Sequence, residues 1–183
     1  MKAHPVRLVI TGRPGVGKST LFNTVVSTLR ESNFRVGGIV APEVREKGVR
    51  VGFKVVDLST GEETWLARRG YVSPVKVGSY GVLVSEADEL VQRALKGALE
   101  QADVIAVDEV GPMELKLPSF RSLLIRALDS TKPLVLVVHF NLGDRDILSR
   151  LEKAWRVVLT LENREQYRKT LPGELLRVLK SAL

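Results

Sequence analysis

Short apolar runs alternate along the chain with stretches in which apolar residues recur every three or four positions. The first pattern marks strands and the second amphipathic helices. Val6 to Thr11 reads as a buried strand, and Ser19 to about Arg30 as the helix that follows it. Gly37 to Glu43 and Val49 to Asp57 read as two further strands, and Ser59, Thr60 and Gly61 turn the chain toward a short strand over Glu63 to Ala67. Connections this short suit an antiparallel flap, because a parallel crossover needs roughly a dozen residues or more.

From Ser85 the period lengthens. Ala87, Leu90, Val91, Ala94, Leu95, Ala98 and Leu99 share one helical face, with Ser85 placed to cap it. Val104 to Val107 is then a strand bordered by acidic residues, and Phe120 to Leu128 a helix with Phe120, Leu123, Leu124 and Leu128 inward. Pro133 to Val138 is a fully apolar strand, of the kind found in a parallel sheet covered on both faces. Val157 to Leu161 supplies one more strand, and Glu174 to Leu183 a closing helix with Leu175, Leu176 and Leu179 inward. The alternation predicts an α/β fold with a mostly parallel central sheet and an antiparallel extension, in a single domain over 1–183.

Composition narrows the chemistry. With 44% hydrophobic and 27% charged residues the chain has the mix of a folded globular protein. It contains no cysteine, which excludes disulfides and thiolate metal sites, and its two histidines, His4 and His139, are too few and too far apart for a zinc site. No apolar run approaches the roughly 20 residues that span a bilayer, and the polar start leaves no room for a signal peptide, so a cytoplasmic location is expected. The net charge of +7 suits either nucleic acid or phosphorylated small molecules. The second reading is preferred, because basic and acidic residues are interspersed and no aromatic-basic stripe appears.

Gly12, Arg13, Pro14, Gly15, Val16, Gly17, Lys18 and Ser19 satisfy G-x-x-x-x-G-K-[ST] between an apolar strand and a helical segment. Glycines let successive backbone N–H groups turn inward around phosphate oxygens without a Cβ in the way. Lys18 is then placed to reach the β- and γ-phosphates, Ser19 to offer a hydroxyl to Mg²⁺, and the helix N-terminus to add its partial positive charge. Such a loop needs an acidic residue at the tip of another strand to hold the metal through its water shell, and Asp108 follows Val104 to Val107 directly.

Hydrolysis also needs a group that activates water. Asp108 to Gly111 spells D-x-x-G, but the next residue is Pro112, where small GTPases carry glutamine. Glu109, beside the metal aspartate, is therefore the candidate general base, with Glu114 a weaker rival. The guanine-reading N-K-x-D sequence is absent, so nothing supports GTP specificity. Asn163 and Arg164 either flank the base or start a helix. Charge in the transition state calls for a cation beyond Lys18, and Arg13, Arg45, Arg121, Arg145 and Arg164 all remain open.

Together these residues resemble the THEP-type nucleoside triphosphatases, also called the cancer-related nucleoside triphosphatase family. The resemblance runs in order through Ile10 to Thr20, Glu43 to Glu46, Val51 to Asp57, Val77 to Val82, Asp108 to Leu115 and Leu161 to Arg164. It implies a small RecA-like, three-layer P-loop domain that slowly hydrolyses ATP, GTP, CTP and UTP to the diphosphate and phosphate with Mg²⁺. It also implies two nucleotide-binding segments, the phosphate loop with Thr20 after it and the strand end carrying Asp108, Glu109 and Gly111. Lys18 and Glu109 are the candidate catalytic residues, and Ser19 and Asp108 the metal ligands. Pro112 departs from the family, where lysine is common.

Two rivals stay in view. A nucleoside or nucleotide kinase uses the same loop but closes an arginine-rich lid over the phosphates, and no compact lid is evident here. A nucleotide-switched nucleic-acid-binding module would account for the charge, and its binding would weaken steeply with salt.

Overall fold

The computed structural model describes residues 4–183. Among them, ten strands form one sheet. The parallel half contains β1 (Arg7–Thr11), β2 (Val36–Val40), β8 (Val104–Val110), β9 (Leu134–Val138) and β10 (Trp155–Val158), in the spatial order β10-β1-β9-β8-β2. The antiparallel half continues from β2 through β4 (Val49–Asp57), β5 (Glu63–Arg69), β7 (Tyr80–Val82) and β6 (Lys76–Val77), while β3 (Glu43–Glu46) pairs with β4. This second half is the expected flap, enlarged by the β6–β7 hairpin, which the sequence reading missed. Its turn is Gly78-Ser79, with Gly78 at φ 58 and Val77 opposite Tyr80. Gly-Ser between two short β-prone runs is a recognisable hairpin signal.

The central parallel strands are largely apolar because each face has its own helical layer. Leu8, Ile10, Val104, Ala106, Val135 and Val137 pack with α1 (Lys18–Glu31) and α5 (Arg164–Ser181). Val9, Ile105, Val107, Leu134 and Leu136 pack on the opposite face with α2 (Val84–Gln101), α3 (Phe120–Asp129) and Ile147 of α4 (Arg145–Arg150). The result is a three-layer P-loop NTPase fold.

Several expectations need correction. The strand expected over Gly37 to Glu43 is two strands, β2 and β3, with Ala41-Pro42 breaking the run. Ser85 does not cap α2, which begins at Val84 after Leu83 without a side-chain cap. The last strand ends at Val158, so Leu159 to Leu161 leave the sheet. The closing helix starts ten residues earlier than Glu174, at Arg164, and carries Pro172 inside it. Pro172-Gly173 reads as a break in the sequence, but Leu171 and Leu175 on either side are buried in the core that α5 shares with α1, and that packing outweighs the local cost. The short α4 was missed altogether. Asp144 caps it, its Oδ1 accepting from the N–H groups of Asp146 and Ile147 at 3.1 Å each.

Arg7, at the start of β1, is buried and fastens the sheet to the α3–β9 connection. Its guanidinium donates to the carbonyls of Lys132 at 2.5 Å, Ser130 at 2.6 Å and Leu128 at 3.0 Å. Burial lowers its pKa, with Asp129 acting in the other direction.

Candidate active site

The C-terminal ends of β1, β9, β8 and β2 open at one edge of the sheet, where ligands bind in open α/β folds. In register, Asp108 lies level with Val137, and Val137 with Ile10. The acidic strand end is therefore two strand spacings, about 10 Å, from the strand that feeds the phosphate loop. The loop bridges that gap by doubling back toward the acids.

The loop's curl depends on Gly12, Gly15 and Gly17, at φ 148, 80 and 100, values that side chains rarely adopt. At Gly12 a Cβ would also lie 2.5 Å from the Leu159 carbonyl oxygen. Lys18 Nζ donates to the carbonyls of Gly12 at 2.8 Å and Arg13 at 2.9 Å, which folds its side chain back along the loop. Burial lowers the Lys18 pKa, while Glu109 and then Asp108 oppose that change.

Pro14, Gly15, Gly17, Lys18, Ser19, Thr20, Asp108 and Glu109 line one cavity of about 840 Å³. Gly12, Arg13 and Val16 instead line a second, largely apolar cavity of about 590 Å³ on the β10 side of the loop. Gly111 lines neither. It stands behind Glu109, where an added Cβ would come within 2.5 Å of Glu109 Oε1. Glu109 is also the extra residue of a β-bulge, since Asp108 and Val110 oppose the consecutive residues Val137 and Val138. A bulge re-aims the side chain it carries, and here that side chain is among the cavity-lining residues.

Desolvation pushes the Asp108 carboxyl up from 3.8 to about 6, against the opposing pull of the Ser19 hydroxyl and Lys18. A buried carboxylate facing a hydroxyl at the mouth of a phosphate loop is a set of hard oxygen donors suited to Mg²⁺, so these residues fit the expected metal. Burial also raises the Glu109 pKa, with Lys18 acting in the opposite sense. Glu114, in the short 3₁₀ turn Glu114–Lys116, is fully buried, and desolvation followed by the nearby Glu109 pushes it up to about 8. Glu114 lines the same cavity as Glu109, but a carboxyl that keeps its proton at neutral pH is a poor general base.

His139, at the end of β9, was considered in the sequence only as a zinc ligand. It lines both cavities. Burial and then Lys18 lower its pKa, and its Nδ1 accepts from the Asn141 N–H at 3.2 Å. The neutral ring therefore keeps its proton on Nε2 as a donor. Its signal in the sequence was its place directly after an apolar parallel strand.

The open arginines separate. Arg121 is tied to Asp144 and Asp146 at 2.7 Å each, and Arg45 to Glu43 at 3.1 Å and the Gly48 carbonyl at 3.0 Å. Arg13 lines the second cavity, and Arg145 lines neither. Arg164 starts α5, with Asn163 at the cap position and its side chain bonded to Thr160 N and the Val158 carbonyl. Arg168, one turn on, would press its Nη2 to 2.8 Å from a Cβ at Gly17. The arginine that lines the large cavity is Arg50, on β4, which the sequence reading did not consider.

Strand pairing also brings cations over rings that the sequence keeps apart. Arg50 lies over Phe53 at 5.3 Å and Tyr80 at 5.5 Å, and Arg68 over Trp65 at 4.3 Å.

Comparison with known proteins gives the family. The model of a family described as NTPase matches residues 7–172. The chain is 45% identical over 179 residues to the nucleoside-triphosphatase THEP1 of Hyperthermus butylicus, covering 96% of this chain and 92% of that protein. It is 39% identical over 180 residues to the protein of that name from Saccharolobus solfataricus, covering 98% and 96%. Among solved structures, that of THEP1 from Aquifex aeolicus superposes with a TM-score of 0.79 at 29% identity, covering 95% of this chain and 99% of that one. A human cancer-related nucleoside triphosphatase superposes with a TM-score of 0.77 at 29% identity, covering 99% and 100%. With a phosphate loop, a metal-suited aspartate and a bulged glutamate on one cavity wall, and a family match across nearly the whole chain, the protein belongs to the THEP1-type nucleoside-triphosphatases.

Proposed function

We propose that this chain is a slow, Mg²⁺-dependent triphosphatase that converts ATP, GTP, CTP and UTP to the diphosphate and inorganic phosphate. The observation that carries this reading is the meeting of Lys18, Ser19, Asp108 and Glu109 on the wall of one cavity. Backbone N–H groups of the loop bind the phosphates, and Lys18 turns from its loop carbonyls to the β- and γ-oxygens. Mg²⁺ held by Ser19 and Asp108 would neutralise charge across the same oxygens.

Glu109 takes a proton from a water held in line with the γ-phosphate. As the new P–O bond forms, the bond from the γ-phosphorus to the bridging oxygen breaks and its electron pair leaves with the diphosphate. The raised pKa of Glu109 makes it a better proton acceptor than an exposed carboxylate. Breadth for the base is supported by the lack of an N-K-x-D reader. Slow turnover is expected where no partner supplies a cation in trans, on the order of 10⁻⁴ per second with Lys18 as the one cation on the γ-phosphate and about 10⁻² per second with an arginine in cis.

The test is phosphate release from each of the four triphosphates, with and without Mg²⁺, in the wild type and in Lys18→Ala. Mg²⁺-dependent release from all four, abolished in the variant, supports the reading. Phosphate transfer to an added nucleoside without free phosphate would replace hydrolysis by a kinase reaction.

A further inference from the structure

We propose that Arg50 is the cation that stabilises the transition state, presented to the γ-phosphate in cis by the antiparallel flap; this rests on the triphosphatase reading above. Charge spreads over the γ-phosphoryl oxygens as the bridging bond breaks, and a positioned arginine opposes it more strongly in the transition state than in the ground state. Of the cavity-lining residues only Lys18 and Arg50 are permanently cationic, because burial and Lys18 hold His139 toward its neutral form.

Arg50 lines the same cavity as Lys18, Asp108 and Glu109. The Ala41 N–H donates to the Asp108 carbonyl at 2.8 Å, which fixes the β2–β3 corner directly beside the acidic strand end. Two residues on, Glu43 accepts from Arg50 Nη1 at 3.1 Å. The guanidinium is thus tied through Glu43 to the corner that abuts Asp108, with Glu109 on the same cavity wall.

The flap also holds the guanidinium in place. Arg50 Nε donates to Tyr80 Oη at 2.8 Å, and its guanidinium carbon lies 5.3 Å from the Phe53 ring centre and 5.5 Å from that of Tyr80, the two rings meeting edge to face at 5.4 Å. Among the described residues Nε and Nη1 are engaged while Nη2 makes no hydrogen bond, which leaves it for a phosphoryl oxygen, and the contacts restrict the rotamers that a long side chain would otherwise sample. A lysine carries the charge but not the forked geometry.

The experiment compares the wild type, Arg50→Ala and Arg50→Lys in phosphate release and in binding of two Mg²⁺ probes, a non-hydrolysable ATP analogue and ADP with aluminium fluoride. Thermal unfolding checks that each variant is folded. Arg50→Ala is expected to lower kcat about 10²- to 10³-fold with KM within about twofold. It should bind the analogue like the wild type and lose the aluminium fluoride complex, with Arg50→Lys partly restoring both turnover and the complex. Unchanged kcat and aluminium fluoride binding in a folded Arg50→Ala protein would overturn the proposal. So would equal losses of analogue and aluminium fluoride binding, which would make Arg50 a ground-state contact. Absence of phosphate release from the wild type itself would overturn the triphosphatase reading instead.

Discussion

Glu109 can act on water only if its carboxylate stands where the bulge puts it, and Gly111 is what leaves room for it. A methyl group at 111 would overlap Oε1, Cγ and Cδ of Glu109 at 2.5, 2.9 and 3.0 Å. Gly111→Ala should therefore displace the base while leaving the phosphate loop intact, lowering kcat at least tenfold with KM for the triphosphate nearly unchanged. A matched rise in KM would show instead that Gly111 acts through nucleotide binding. Glu114 gives a second prediction. Its folded-state pKa of about 8 lies above the ordinary 4.5, so the native state holds a proton that the unfolded chain releases. The stabilisation from this proton is complete below about pH 4.5 and is lost as pH rises toward 8. Asp108 contributes with the same sign between 3.8 and about 6. Denaturant unfolding of Glu114→Gln at pH 5 and pH 8 should show a smaller loss of stability across that interval than the wild type; an equal loss would mean that Glu114 does not carry the slope.

At the scale of elements, what could be read in advance depended on whether a segment's own residues determine its state. The phosphate loop, β4, α1 and the apolar strands β8 and β9 were legible because their glycine spacing or hydrophobic period is local. β6 and β7 hold only two and three residues, too few to show a period, and gain their place from pairing with β5. The first half of α5 has mostly polar residues from Arg164 to Thr170, so its helical state shows only once Leu171 and Leu175 have a surface to cover. Arg50 was missed for a related reason, since nothing on β4 alone says that β7 will bring Tyr80 alongside it. Arg7 appears in the sequence as a charge opening a strand, whereas in the fold it closes the gap between β1 and the α3–β9 connection. Arg7→Ala leaves the carbonyls of Leu128, Ser130 and Lys132 without this donor. The expected loss is about 2 to 4 kcal/mol of unfolding free energy, read from denaturant melts, with phosphate release per folded molecule unchanged.

Across the whole molecule, one sheet serves two tasks. Its parallel half, rigid and buried on both faces, sets the phosphate loop and the acids; its antiparallel half forms the far wall of the cavity and carries Glu43, Arg50, Phe53 and Tyr80. On the flap and its border Glu43 pairs with Arg45 and Arg50, Glu63 with Lys54 and Glu62 with Arg93, so several of the cations there already have a carboxylate partner. A single-stranded RNA should consequently bind weakly at about 0.15 M salt, and a tight shift that falls steeply with added salt would restore the nucleic-acid module to consideration. The central claim is that a base beside the metal aspartate makes water the acceptor of the γ-phosphoryl group. The most direct measurement is phosphate release by Glu109→Gln against the wild type, with nucleotide affinity measured on the same samples. The account predicts that turnover falls at least a hundredfold while Mg²⁺-nucleotide affinity stays within a few fold. Turnover close to that of the wild type would contradict it, because some group other than Glu109 would then be accepting the proton of the attacking water.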